Sequence, residues 1–522
     1  MRQIILFLIF GYIQFSWTQT HNILDYGAIP ESNFINTDAI NKAINECHSQ
    51  GGGTVFIPKG EFLTGTLHLK SNINFHLEKG AKLIGSSDIK DYDVMPDGYY
   101  YSGKNYMGIF FANDVINVSL SGSGTVDGRG TLFMKQNTRF APSKSEREFT
   151  RQKEEFRDTI LLEDGPLKFI ERPGHILTIS NAENISIKNI LFVDSPKWTI
   201  RIGGSKNVNI SNIKIENNIL IPNSDGIHIT SSSNVNVSDS DVVAGDDALI
   251  VTGFISGLDK YKYGNQSSEA KNIIFSNCNI TSKSSGIRVG YGEKPINNVI
   301  FENINITDSN RGIGVFSRDN SLINKIIFSN ISIQSRLHSD GWWGKSEPIH
   351  ISAIQSTKNG IAGKISNIIF ENIEANSESG IIIYSEKDSK ISNINIKRLK
   401  IKIKEGRYSK KYGGNFDLRP TALKGKGLFE HDIPALYVKG VEDLKIDNIS
   451  VKWGKQTNTY YTHGLEMENF ENLIISNFNI RAASKDKADI KLTNGKKSKF
   501  INDLSPNQKT KIQYKKLNRD KT

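Results

Sequence analysis

Asn184-Ile-Ser-Ile-Lys-Asn189 is one instance of a phrase that recurs through the chain and decides how it folds. Asn207-Val-Asn-Ile-Ser-Asn212, Asn234-Val-Asn-Val-Ser-Asp239 and Asn272-Ile-Ile-Phe-Ser-Asn277 repeat it. So do Asn298-Val-Ile-Phe-Glu-Asn303, Asn367-Ile-Ile-Phe-Glu-Asn372, Asn393-Ile-Asn-Ile-Lys-Arg398 and Asn472-Leu-Ile-Ile-Ser-Asn477. Many successive starts lie about 23 to 27 residues apart, the period of a solenoid coil. Within each unit apolar and polar residues alternate, as in a strand with one buried face. A coil of this kind cannot bury its apolar row alone, so Ile, Val and Phe must stack into ladders along an axis. Asn tolerates the left-handed backbone of the turns and can hydrogen-bond its equivalent one coil away. The expected fold is therefore all-β, a right-handed parallel β-helix. A β-sandwich would need regular antiparallel turn signals such as Asn-Gly, and few are present.

The chain has 522 residues and a formal charge of +11, with 13 Pro and 44 Gly. A one-dimensional solenoid accommodates this length as a single domain. The positive balance favours a polyanionic partner. No Arg-rich helix, zinc ligand set or RNA-binding signature accompanies it, so an acidic polysaccharide fits better than nucleic acid. Residues 1–20 read as a signal peptide: Arg2, then an apolar run from Ile4 to Phe15 too short for a comfortable membrane span. This predicts a secreted or periplasmic protein, a monomer without membrane attachment after cleavage. Cys47 and Cys278 read as small buried hydrophobes, not a disulfide.

Residues 21–482 are read as one catalytic β-helix and 483–522 as a basic, fraying tail. Thr37 or Asp38 caps a short helix whose Ile40, Ala43, Ile44 and Cys47 form an apolar stripe, suited to closing the first coil. Insertions are expected at 91–173, 253–269 and 408–434, as loops on the binding face. The first carries Tyr99-Tyr-Tyr and a charged helical run from Ser143 to Arg157.

Two neighbouring repeats carry the candidate chemistry. Asn223-Ser-Asp-Gly-Ile-His-Ile-Thr230 and Ala244-Gly-Asp-Asp-Ala-Leu-Ile-Val251 place Asp225, Asp246 and Asp247 before apolar runs. If the runs stack, the carboxyls converge. Crowded carboxyls cannot all ionise equally, which divides them into an acid and a base. Glycoside cleavage uses such a division. An Asp at a strand end is also an ordinary turn former, so each alone is only suggestive.

These motifs resemble glycoside hydrolase family 28, the polygalacturonase-like hydrolases of pectin. Asp25-Tyr-Gly-Ala, Gly51-Gly-Gly-Thr-Val, Gly122-Ser-Gly-Thr-Val-Asp-Gly-Arg-Gly and Asp194-Ser-Pro-Lys-Trp extend the likeness over most of the chain. The family's Asn-Thr-Asp stands here as Asn223-Ser-Asp225, and its Gly-Asp-Asp as Gly245-Asp246-Asp247. The resemblance implies inverting hydrolysis without metal or other cofactor. Asp246 is then the general acid, Asp225 and Asp247 handle the attacking water, and Asn223 orients the site. The family's Gly-His-Gly is replaced by Ser284-Ser-Gly-Ile-Arg288-Val-Gly. Its Arg-Ile-Lys is replaced by Gly312-Ile-Gly-Val-Phe-Ser-Arg318. Arg288, Arg311 and Arg318 are the candidate substitutes, since guanidinium groups fork carboxylates. His228 is a candidate sugar contact. Gly341-Trp-Trp-Gly-Lys-Ser-Glu-Pro-Ile-His350 reads as a stacking loop in which Trp342, Trp343 and His350 meet the glycan. Two other classes stay open: a β-helix polysaccharide lyase, with Arg288 as its base, and a non-catalytic glycan-binding solenoid.

Overall fold

A computed structural model describes residues 19–31, 33–95, 105–139, 147–153, 164–254, 269–339, 341–386, 390–505 and 509–516. The signal-like residues 1–18, Tyr99-Tyr-Tyr, most of the Ser143–Arg157 run and residues 255–268 lie outside these. The chain winds as a right-handed parallel β-helix. One wall is a 14-stranded parallel sheet, and a second, 21-stranded sheet forms the rest of the coil.

The repeats explain the stacking in detail. Asn184, Asn207, Asn234, Asn272 and Asn298 all have positive φ. Each donates from Nδ2 to the Oδ1 of the equivalent Asn one coil back, over 2.8–3.2 Å. Inside, Phe275, Phe301, Phe328 and Phe370 form a stacked column with ring centroids 4.9, 5.3 and 4.9 Å apart. Side-chain amides outside and aromatic faces inside thus set the same register.

Helix α1 (Thr37–Ser49) lies at the N-terminal end, with Ile40, Ala43, Ile44 and Cys47 buried. It packs on the first strands and covers an edge that would otherwise be open. Both cysteines are buried and free.

Two boundaries differ from expectation. The stretch 91–173 is not one insertion, because Phe110–Asn113, Ile116–Gly122 and Thr125–Asp127 complete a regular coil. Val118, Leu120 and Val126 supply its buried row, which the polar flanks on either side obscure. The tail also continues the solenoid: Ile490–Thr493, Lys496–Asp503 and Ile512–Lys515 pair in parallel with the coil before or with each other. Ile490 and Leu492 are buried there, while Lys496, Lys497 and Lys499 of the neighbouring strand are exposed. The 408–434 segment folds over the 14-stranded wall as a short helical turn and an antiparallel hairpin, Asn415–Asp417 with Leu428–Glu430. Arg151 of the first insertion joins it, donating from its backbone N–H to Asn415 at 2.8 Å and from its guanidinium to Asp432 at 2.9 Å.

Candidate active site

Six strands of the 14-stranded wall carry the site: β1 (Leu177–Ser180), β2 (Ile200–Gly203), β3 (Ile227–Thr230), β4 (Leu249–Gly253), β5 (Ser285–Gly292) and β6 (Arg311–Ser317). Their inward residues, such as Ile200, Ile227, Leu249, Ile287 and Ile313, align in one buried row. Outward positions form two columns. The first, just ahead of the strands, runs His175, Trp198, Asp225, Asp247, Ser285, Arg311 and Glu347. The second runs Arg201, His228, Ile250, Arg288, Gly314 and His350.

Asp225 and Asp247 are therefore direct neighbours on adjoining coils. Gly226 N–H donates to the Asp247 carbonyl at 2.9 Å, and Thr199 N–H to the Asp225 carbonyl at 2.8 Å. The backbone approach is too close for a side chain: a Cβ on Gly226 or Gly245 would lie 2.4 Å from a carbonyl oxygen of the adjacent chain segment. Ser224 ties the two motifs together, donating to the Ile221 carbonyl at 2.8 Å and accepting from Gly245 N–H at 3.1 Å.

The three carboxyls have different surroundings. Asp225 is only 2% exposed. Burial first, then the charges of Asp246 and Asp247, push its pKa well above the ordinary carboxyl range. Asp246 is half-buried, and burial together with Asp247 raises its pKa to about 7. It accepts from Asn223 N–H at 3.2 Å and from Asp247 N–H at 3.0 Å. Both oxygens of Asp247 are engaged, one by Arg288 Nε and the other by Ser285 N–H at 2.8 Å. Arg288 also lies 3.9 Å from Asp225 and spreads over the Tyr291 ring at 4.7 Å. Arg288 thus pairs directly with Asp247 and reaches Asp225, while Arg172 acts on Asp246 and Asp225 only from further off, too little contact to keep all three carboxyls ionised in a buried patch.

Asn223 stands in left-handed backbone, φ 58°. This turn aims its N–H at Asp246 while its side-chain oxygen accepts from Arg172 Nη2 at 3.2 Å. His228 is fully buried, stacked on Trp198 with centroids 3.9 Å apart, and bonded through Nε2 to Thr252 at 3.1 Å. Burial and the nearby Arg288, Arg201 and His175 charges hold the imidazole well below its ordinary pKa, hence neutral.

The remaining expected contacts lie apart from the carboxyls. Arg311 is buried, 3.5 Å from Glu347, and donates to Ser285 and the Asp417 carbonyl. Arg318 donates to the carbonyls of Ser317, Ser352 and Leu418. His350 is buried edge-on against Phe316. Trp342, expected in a stacking loop, is instead 3% exposed and donates to the Asp164 carbonyl at 2.6 Å. The 164 segment and the hairpin at 415–430 cover this part of the wall, which local sequence could not disclose. Trp343 is 39% exposed, with Arg419 near its ring.

A family model, glycosyl hydrolases family 28, matches residues 168–414, and that for rhamnogalacturonase A/epimerase, pectate lyase-like, matches 20–242. Over residues 168–414, just under half of its length, the chain resembles glycosyl hydrolases family 28. A probable polygalacturonase of Vitis vinifera is 27% identical over 250 residues, 46% of this chain and 45% of that protein. An exo-poly-alpha-D-galacturonosidase of Dickeya chrysanthemi is 36% identical over 121 residues, 21% of this chain and 19% of that one. The matches thus span about half or less of the length of these curated relatives. In fold, the chain is similar to the family 28 exopolygalacturonase of Yersinia enterocolitica, with TM-score 0.61 and 17% identity, covering 88% of this chain and 78% of that one. It is also similar to an exopolygalacturonase from Thermotoga maritima, with TM-score 0.59, 21% identity and coverage of 74% and 87%.

Sequence reading passed over Arg172, His175, Lys197 and Trp198. His175, Trp198 and His228 form a continuous stack, with His175 and Trp198 4.6 Å apart. Asp194-Ser-Pro-Lys-Trp was the available signal, since Trp198 precedes its strand by the same step that Asp225 precedes β3.

Proposed function

We propose that this protein is a glycoside hydrolase that cleaves an acidic, galacturonate-containing polysaccharide or its oligosaccharides with inversion. The observation that carries this reading is the unequal treatment of three carboxyls on one patch. Asp246, with its pKa raised to about 7, keeps a proton at mildly acidic pH and gives it to the glycosidic oxygen as the bond breaks. Asp247, held by Arg288 and Ser285, takes a proton from water attacking the anomeric carbon on the opposite face. Asp225 orients that water, and Asn223 aims Asp246. Inversion needs roughly 6.5–9.5 Å between acid and base for the water. A coil step of roughly 4.7–4.9 Å plus a lateral offset supplies such a gap between Asp246 and Asp225, which holds the water from the adjoining coil.

The names of the relatives support polygalacturonate as the first substrate to try. The formal charge of +11 suits a polyanion. Arg2 and the apolar run to Phe15 support export, and the protein acts as a monomer outside the cytoplasm. Among the described residues no helix is long and apolar enough to cross a membrane.

The test is reducing-end release from a panel of acidic polysaccharides by wild type and Asp246→Asn, with ultraviolet absorbance followed in the same wells. New reducing ends without unsaturated product, lost in the variant, are expected. Absorbance from an unsaturated uronate would make the protein a lyase. Binding without any product in either protein would leave a glycan-binding scaffold.

A further inference from the structure

We infer that Arg172 and Lys197 form an anion-binding subsite, built to take the carboxylate of a uronate residue beside the acid Asp246. This deepens the reading above and rests on it for the identity of the anion.

The turn that carries Lys197 is clamped from several sides. Ser195 N–H donates to Asn217 at 3.0 Å, and Ser195 Oγ donates to the Lys197 carbonyl at 2.6 Å. Trp198, the next residue, is held in the stack between His175 and His228. Lys197 is level with Ser224 on the adjoining coil, one position before the Asp225 column. Its stem is therefore fixed beside the motif that carries Asn223 and Asp225.

Arg172 reaches the same corner from the segment that ends the first insertion. It is 6% exposed, its guanidinium lies on the Phe169 ring at 4.0 Å, and it donates to the carbonyls of Pro196 at 2.7 Å and Pro222 at 2.9 Å. Pro196 is the neighbour of Lys197, so the two cations share one turn. Arg172 Nε is buried without a hydrogen-bond partner. Among the described residues neither cation has a carboxylate within ion-pair distance, and Lys197 Nζ has no hydrogen-bond partner.

Asp246 and Asp225 act on Arg172 only from beyond ion-pair distance, and no carboxylate is among the groups that act on Lys197. Arg288 is committed to Asp247, while burial and mutual repulsion raise the pKa of Asp246 to about 7 and that of Asp225 well above its ordinary value. Two cations side by side in a half-buried corner repel one another. Burial and the Arg172 charge accordingly lower the Lys197 pKa to about 8. A bound carboxylate relieves that repulsion and supplies the missing acceptor. A planar fork plus a point charge suits a carboxylate held against a sugar ring.

Two readouts on the full-length protein test this. The first compares kcat/KM for trigalacturonate with that for its methyl ester, in wild type, Lys197→Met and Lys197→Arg. We expect the preference for the free acid to fall about tenfold in Lys197→Met, the low end of what a charged hydrogen bond is worth, and to return in Lys197→Arg. The second is trace acetylation of Lys197 near pH 8, read by peptide mass mapping with and without trigalacturonate. Protection by the acid but not by the ester is expected. Cleavage with an unchanged preference in Lys197→Met, and equal labelling with and without trimer, overturns the subsite and leaves the hydrolase intact. Protection without any cleavage keeps the subsite and overturns the hydrolase. Neither protection nor cleavage removes both.

Discussion

Two stretches of one column on the same wall have opposite fates. At Asp225 and Asp247 the outward positions crowd carboxyl groups around the guanidinium of Arg288, which pairs with Asp247. Two steps further along, Arg311 is matched by Glu347, and Asp417 by Arg419, with the 415–430 hairpin packed above them. The backbone is equivalent in the two places. What differs is charge balance and cover: the first patch is left electrostatically unresolved, while the second is neutralised and closed. Buried, unsettled carboxyls are costly to hold and suit proton transfer; matched ones suit a wall.

The largest effect expected from breaking this contrast is at Asp246. Asp246→Asn removes the transferable proton and lowers kcat by about 10²–10⁴, measured as reducing ends released under saturating substrate. Stability moves the other way. A carboxyl whose folded pKa is raised costs the fold stability as pH climbs from its ordinary 3.8 through about 7. Asp246→Asn therefore unfolds at a higher temperature than wild type at pH 8, and the gap closes near pH 4.

At the closed end, Asp417→Asn strands the buried Arg419, which now donates to it from its backbone N–H, Nε and Nη2. We expect a loss of about 3 kcal/mol in urea unfolding. Burial alone would raise the Asp417 pKa, but Arg419 and Arg311 hold it well below the ordinary value. Its stabilisation is fully present above pH 3.8 and fades as pH falls through the depressed value. The difference between variant and wild type must shrink in acid; a gap that does not narrow as pH falls below 3.8 would locate the damage elsewhere.

Arg288→Met tests the guanidinium paired with Asp247. Its charge lowers the pKa of both Asp246 and Asp225, so its loss raises them. The alkaline limb of the rate profile, near pH 7 in wild type, should move up by about one unit while the maximal rate falls roughly tenfold. A lower rate with an unmoved limb would show that Arg288 only packs.

The tryptophan pair gives the smallest effect. Trp342→Phe loses the bond to the Asp164 carbonyl and destabilises by about 1 kcal/mol, whereas Trp343→Ala stays within about 0.5 kcal/mol. Equal losses in thermal unfolding would contradict the assignment of one to the interior and the other to the surface.

The contrast also marks what local sequence carries. The Asn phrases state their own hydrogen-bonding partners, because each Asn meets its equivalent one coil away. Asp225 and Asp247 were legible for the same reason: one coil of separation makes sequence neighbours into spatial ones. Arg311, Arg318 and Trp342 were not, because what covers them comes from distant segments at 164 and 415–430. Arg172 was hidden likewise, since it enters from the end of an insertion. The coil at Phe110–Asp127 and the coil after Ile490 were masked by polar flanks and outward lysines, although Val118, Leu120, Ile490 and Leu492 already had the alternating spacing.

The central claim is that the three aspartates divide into an acid and a water-activating pair, which is a single displacement. Proton NMR of the first-formed product of trigalacturonate cleavage tests it most directly, before mutarotation mixes the anomers. The division predicts that the new reducing end appears first as the β anomer, inverted from the α linkage. An α anomer appearing first would mean that a carboxylate attacks the sugar, and the assignment of Asp225 and Asp247 to water would be wrong.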